Sequence, residues 1–306
     1  MELIVAKFGG TSVADLAHIE AAADKIAYEA GNGHHIAVVV SAMAGVTNDL
    51  VAQCEAMSDN IDMREHDTVV ASGEQVTSGL MALALQKFGL YARSWTASQL
   101  PFTTDTRHGK ARIVDVHADE MLGQIEKGQI PVLAGFQGIS PERRLTTLGR
   151  GGSDTSAVAL AAALGASRCD IYTDVTGDFT ADPRIVRDAR KIDRISYEEM
   201  LELASMGTKV LQVRAVEMAK KYNVCVQVLS SFRNVTGSDK PGTLVVPEEE
   251  MMEEEKVHGI TYSENEAKIT LMSVPDKPAH RHDIYSAAGG QRQGVGSFKK
   301  RTVFAR

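Results

Sequence analysis

The sequence is poor in cysteine: three in 306 residues, at positions 54, 169 and 225, with no C-x-x-C pair. That count excludes a disulfide framework and a structural zinc site, and fits thiols kept reduced. No run of about 18 apolar residues occurs, which excludes a membrane-spanning helix. The opening MELIVAKFGG has neither a basic n-region nor a small-residue cleavage site, so no signal peptide is expected and the reading is cytoplasmic. The two common phosphate signatures, GxxxxGK[ST] and GxGxxG, are both missing, which argues against a Walker A loop and a dinucleotide fold. Net charge is -7 and no broad basic surface is legible, so neither nucleic acid nor a membrane is expected as a partner.

What is present is ordinary globular composition, 43% hydrophobic and 24% charged. Short Val- and Ile-rich runs recur at Leu3–Phe8, His35–Ser41, Gln129–Phe136, Arg168–Asp174 and Asn223–Ser231, each followed by glycine or polar residues. Runs this short read as strands buried on both faces. Ala- and Leu-rich helical stretches separate them, as at Asp15–Glu29, Gln75–Phe88 and Thr155–Leu164. The alternation predicts an α/β fold with a mainly parallel sheet covered by helices on both sides. Ligands of such sheets bind beyond the carboxyl ends of the strands.

Six junctions at those ends carry residues with chemistry. Lys7-Phe8-Gly9-Gly10-Thr11-Ser12 sets a lysine and two glycines before a helix that Ser12 or Thr11 could cap, suited to an anion or simply to a tight turn. Gly149-Arg150-Gly151-Gly152-Ser153-Asp154 opens an Ala-rich helix. Ser153 or a neighbour reads as its N-cap, and Arg150 can pair with a carboxylate. Thr173-Asp174-Val175-Thr176-Gly177-Asp178-Phe179-Thr180-Ala181-Asp182-Pro183-Arg184 follows a strand with three Asp at spacing four. It lacks the alternation and terminal Glu of an EF-hand, and reads as an Asx-turn loop or a nucleotide-facing loop. Ser72-Gly73-Glu74 starts a helix, where Glu favours the dipole. Ser41 to Asn48 is a small, hydroxyl-bearing loop, and Gly207-Thr208-Lys209 interrupts a stretch opened by the capping box Ser196-x-x-Glu199. The nine histidines fall mostly outside these junctions and read as structural or surface residues.

As an ordered set, KFGGTSV, VVSAMAGVTNDL, SGEQ, GFQG, TTLGRGGSDT, YTDVTGDFTADPR and SMGTKVL resemble the aspartate kinases of the amino-acid kinase family, over about residues 1–278. The resemblance implies a three-layer αβα catalytic domain at 1–246, followed by an acidic linker at 247–258 and a partial, aberrant ACT regulatory region at 259–306. It implies transfer of the ATP γ-phosphoryl group to the β-carboxylate of L-aspartate, giving 4-phospho-L-aspartate on the way to lysine, threonine and methionine. ATP is then a co-substrate and Mg²⁺ its companion, held mainly by phosphates and waters, with no protein-held metal. By the same resemblance Lys7 and Asp154 are catalytic, with Asp154 orienting Lys7. Ser41, Thr47, Glu74, Arg150 and Ser153 bind aspartate. Lys7, Gly9, Gly10, Thr173, Asp174, Phe179, Asp182, Arg184 and Lys209 bind the nucleotide. Phe179 stands where the family often has Tyr.

The end of the sequence departs from that pattern. Glu248–Lys256 holds six Glu and one Lys, and Ala279–Arg306 holds six Lys or Arg against one Asp. Gly259–Val274 reads as a strand pair or a strand with its approach, and SENEAKITLMSVPDKP resembles the opening strand of an ACT module, but no amphipathic helix follows. A truncated or frame-shifted tail, or a segment completed by a partner, is the expectation. Homo-oligomerisation or association with a chain carrying complete ACT modules would cover the strand. Two other functions compete: a kinase of glutamate derivatives, carbamate or a nucleotide, and a sensing subunit with an inactive kinase fold. SGEQ with TTLGRGGSDT speaks against the first, and intact Lys7, Glu74, Arg150 and Asp154 speak against the second.

Overall fold

The computed structural model describes residues 2–96, 99, 102–206, 210–232 and 242–251. Lys209, most of the acidic linker and the ACT-like region lie outside the described residues.

The strands are β1 (Leu3–Phe8), β2 (His35–Val40), β3 (Ala92–Trp95), β4 (Phe102–Thr104), β5 (Ile113–Val116), β6 (Ile130–Ala134), β7 (Gln137–Ile139), β8 (Leu145–Thr147), β9 (Arg168–Thr173), β10 (Arg194–Ser196), β11 (Val226–Ser230) and β12 (Thr243–Val246). The helices are α1 (Leu16–Gly31), α2 (Val46–Met57), α3 (Met63–Val70), α4 (Ser72–Lys87), α5 (Asp119–Ile125), α6 (Gly152–Leu164), α7 (Tyr197–Ser205) and α8 (Val213–Tyr222). The main sheet runs β10-β12-β11-β9-β1-β2-β6-β3. From β11 to β3 all neighbours are parallel, while β12 pairs antiparallel with β11. A smaller sheet, β5-β4-β7-β8, lies beside it.

The five strand runs read from the sequence are β1, β2, β6, β9 and β11, and they are adjacent in the sheet. Their apolar continuity follows from burial on both faces. Ala6, Phe8, Ile36, Val38 and Val40 pack on α1 and α4. Val5, Ala37, Val39, Cys169 and Ile171 face the other way, toward α5, α6, α7 and α8. Helix α1 buries Ile19, Ala22, Ala23 and Ile26, an i, i+3, i+4, i+7 stripe, and starts at Asp15, whose carboxylate accepts the His18 N–H. Helix α6 is buried along nearly its whole length, between the sheet and α8, which explains its all-round Ala and Leu content. The capping box at Ser196 and Glu199 is formed, and the three cysteines are free thiols.

Three local readings change. Helix α6 is not capped by Ser153. Its N-cap is Gly151 in the left-handed region, and Ser156 turns back to donate to the Gly152 carbonyl at 2.9 Å. Ser12 does not cap α1 either. Its hydroxyl donates to the Tyr172 carbonyl at 3.1 Å, tying the β1 turn to β9. The small sheet and α3 had no counterpart in the sequence reading, because their strands are three or four residues long and carry little periodicity.

Candidate active site

Period-two alternation decides where Lys7 points. Val5 faces α6, so Lys7, two residues on, faces it too, while Phe8 turns to the opposite layer and stacks on Tyr172 at 4.6 Å. The first turn of α6 brings Asp154 to that lysine: Nζ lies 2.5 Å from Oδ1, and each residue is under 10% exposed. A buried ammonium needs such a partner, since desolvation otherwise makes its charge too costly. Gly9 follows at the strand end, its N–H donating to the Tyr172 carbonyl. A Cβ on Gly9 would lie 3.3 Å from Lys7 Nζ, so a side chain there would crowd the ammonium. Gly10 sits as closely on the Ala42 carbonyl of the β2 loop.

The amino end of α6 is reached through Gly149, Arg150 and Gly151. Gly151 has φ +67°, and a Cβ there would collide with the Gln212 side chain at 1.7 Å. Only glycine meets both conditions. Arg150 between these glycines is exposed and forms no hydrogen bond or ion pair with a described residue. Ser153 is buried beside Gly135 at the end of β6.

Glu74 is a further charged group at this end. It lies in the first turn of α4, yet it is 3% exposed. Burial pushes its carboxyl up to about 7, against the pull of the Ala42 N–H and its own N–H. Its Oε2 has no hydrogen-bond partner among the described residues. Helix α4 reaches the β2 loop because Gly73 is packed directly on Ala42. Ser41 and Thr47, both half-buried, belong to that loop and to the first turn of α2.

Beyond β9 the chain enters the long loop 174–193. Thr173 Oγ1 donates to Asp174 Oδ1 at 3.1 Å, and the Asp174 carboxylate is exposed at the loop mouth. Phe179 pairs as a bridge with Lys191, closing the loop on itself. Asp182 is held by Arg184, whose Nη2 and Nε lie 2.7 and 3.0 Å from its oxygens, and this hydrogen bonding lowers the Asp182 carboxyl. Thr173 and Asp174 thus stand at the same sheet end as Lys7, and Phe179, Asp182 and Arg184 on the loop beyond it. Position 209 is outside the described residues.

Two carboxylates stand apart from the sequence reading: Asp178, read there only as part of a turn or nucleotide-facing loop, and Asp67, not read at all. Asp178 is 1% exposed and neither oxygen has a partner among the described residues; burial pushes its carboxyl up to about 7. Asp67 is fully buried and bonded to two other segments at once, the turn at His108 and Gly109 and the end of β8 at Thr147. Periodicity gave little signal for it: in α3 only Asp67 and Val70 are buried, while Met63, one turn before Asp67, is exposed.

The chain matches the Amino acid kinase family over residues 2–230. It is 48% identical over 293 residues to the aspartate kinase of Pseudomonas fluorescens (strain SBW25), covering 95% of this chain and 70% of that protein. An aspartate kinase structure from Synechocystis superposes with a TM-score of 0.71 at 44% identity, over 80% of this chain and 40% of that one. E. coli aspartokinase III, solved in complex with aspartate and ADP, superposes with a TM-score of 0.72 at 31% identity, over 80% of this chain and 65% of that one. The chain therefore spans only part of the length of each of these relatives.

Proposed function

The chain belongs to the amino acid kinase family, among its aspartate kinases, the enzymes that phosphorylate aspartate with ATP, and from that premise we propose how its own residues perform the transfer. The acceptor is the β-carboxylate of L-aspartate. Its reference pKa is ~3.9, so it is ionised at neutral pH and needs no general base. One carboxylate oxygen forms a bond to the γ-phosphorus, the bond to the β,γ-bridging oxygen breaks, and ADP leaves with that electron pair. The protein's task is to bring two anions together and to neutralise the charge that spreads over the transferring group.

Lys7 supplies the fixed cation at the transferring phosphoryl group, and Asp154 holds it there. Gly9 and Gly10 leave room for the phosphates. Thr173, Asp174, Phe179, Asp182, Arg184 and Lys209 take the nucleotide. Glu74 accepts the aspartate ammonium, Arg150 clamps its α-carboxylate, and Ser41, Thr47 and Ser153 line the pocket between. The observation that carries this reading is Glu74: a buried carboxylate with one oxygen unpartnered, on the same sheet end as a buried lysine. A substrate ammonium completes it.

Among the described residues no three His, Cys, Asp or Glu side chains gather to hold a metal. Mg²⁺ would come on the nucleotide through phosphates and waters, with the exposed Asp174 carboxylate available to it. When bound, the ion would supply positive charge that offsets the negative charge of the phosphates. Residues 1–246 form the catalytic unit in this reading, supported by the last described strand ending at Val246. Homo-oligomerisation, or pairing with a chain that carries complete ACT modules, belongs to the same proposal.

The test is on the amino-acid side. Glu74→Gln and Arg150→Ala each remove a charge-assisted contact of about 1.5–3 kcal/mol, so each raises the KM for aspartate roughly 10- to 100-fold. Calorimetric titration with ATP should show unchanged affinity. In the parent, the free Glu74 carboxyl ionises near pH 7, and only the ionised form attracts the ammonium. The KM for aspartate should therefore fall as pH rises from 6 to 8, and Glu74→Gln should lose that dependence. Equal losses of ATP and aspartate affinity would refute the assignment.

A further inference from the structure

Asp67 is the meeting point of three segments. His108 Nδ1 lies 2.8 Å from its Oδ2, the Gly109 N–H donates to both oxygens at 3.0 Å, and Thr147 Oγ1 donates to Oδ1 at 2.6 Å. His66 brings its Nδ1 within 3.8 Å of Oδ1. The carboxylate is thus close to the number of hydrogen bonds its oxygens can accept, about four.

Each bond leads toward a group that grips the amino acid. Thr147 ends β8, and Arg150 is three residues further on. The Gly109 carbonyl lies against Gly149, where a Cβ would come within 3.3 Å of it. The Ala111 N–H donates to the Thr147 carbonyl at 2.9 Å. Arg214 of α8 spans the same two strands of chain, with Nη1 on the Leu148 carbonyl at 2.6 Å and Nη2 on the Ala111 carbonyl at 3.0 Å. In the other direction α3 passes through Ala71 straight into α4, whose first turn carries Glu74.

We propose that Asp67 is a positioning residue for the amino-acid substrate: it ties the segment ending at Glu74 to the loop carrying Arg150 and so sets the spacing between the ammonium acceptor and the carboxylate clamp. The proposal rests on the assignment of those two residues to aspartate. An apolar residue here would leave the Gly109 N–H and the Thr147 hydroxyl without their acceptor, so the carboxylate holds these segments in place. What a satisfied buried network adds is direction, and two-point recognition of a short substrate depends on direction.

Asp67→Asn keeps the shape but sets an amide NH₂ against one of the donors. It should raise the KM for aspartate about tenfold, with kcat at saturating aspartate and the KM for ATP each within about threefold of the parent. Thr147→Val removes a single donor and should raise the KM for aspartate about threefold. It decides the matter if the Asp67 variant does not fold. A purely structural role would lower the melting temperature and the amount of active enzyme, and would leave both KM values where they were. If Glu74→Gln raises the aspartate KM and neither Asp67→Asn nor Thr147→Val does, the positioning role is wrong and the site assignment stands. If Glu74→Gln also leaves it unchanged, both are wrong. An equal rise in the KM for ATP likewise overturns the proposal.

Discussion

Lys7→Met lowers kcat by a factor on the order of 10³, with a much smaller change in ATP affinity, because developing phosphoryl charge loses a fixed, water-excluded cation. The methionine is nearly isosteric with the lysine stem, so the strand and its glycine turn are retained. The substitution has a second consequence that must be separated from the first. Asp154 is 7% exposed, and Lys7 is its ion-pair partner at 2.5 Å. Removing that partner leaves an uncompensated buried charge, at a cost of about 3–5 kcal/mol in stability. The double variant Lys7→Met with Asp154→Asn removes the charge as well. It should recover most of the lost stability and none of the lost kcat. Single-turnover measurement of aspartyl phosphate formation, made alongside urea unfolding, reads the two effects independently. A single variant within tenfold of the parent would show that Lys7 is not the cation at the transferring group.

Asp178→Asn should stabilise the protein at pH 8 and do little at pH 4. Asp178 is buried at the start of the loop beyond β9, with both oxygens unpartnered among the described residues. Burial raises its carboxyl from 3.8 to about 7. Between those values the folded state binds more protons than the unfolded chain, so stability falls as pH rises through the window. Below about pH 4 the group is protonated in both states and the penalty is absent. Above about pH 7 it is ionised in both states and the whole penalty is present, on the order of 4 kcal/mol at 1.36 kcal/mol per pH unit. Asparagine cannot ionise and keeps the volume. The gain in urea midpoint over the parent should therefore grow from pH 4 to pH 8. A pH-independent difference would mean that the carboxylate finds partners in solution. Glu74, also raised to about 7, contributes the same sign of pH dependence. Only the difference between the two proteins isolates Asp178.

Much of this molecule is decided by the sequence read along its length. The five buried strands are legible because parallel strands covered on both faces must be apolar throughout, and their ends are marked by glycine. The order of the junction motifs carries the family, and period-two alternation from Val5 already places Lys7 on one definite face. Other features depended on tertiary structure, each for a physical reason. Ser153 has the right residue type for a cap, but the left-handed backbone at position 151 and the Gln212 side chain pressed against it require glycine as the cap. Glu74 looks like a dipole-favoured surface residue until α4 packs on the β2 loop and takes water away from its carboxyl. Asp178 reads as a turn aspartate. Only burial in the folded chain raises its carboxyl toward neutral pH. Asp67 and His108 are 41 residues apart, and Asp67 and Thr147 are 80 apart. A hydrogen-bonded cluster drawn from such distant positions leaves no periodic trace in the sequence, because it exists only where the folded chain brings α3, the Gly109 turn and β8 together.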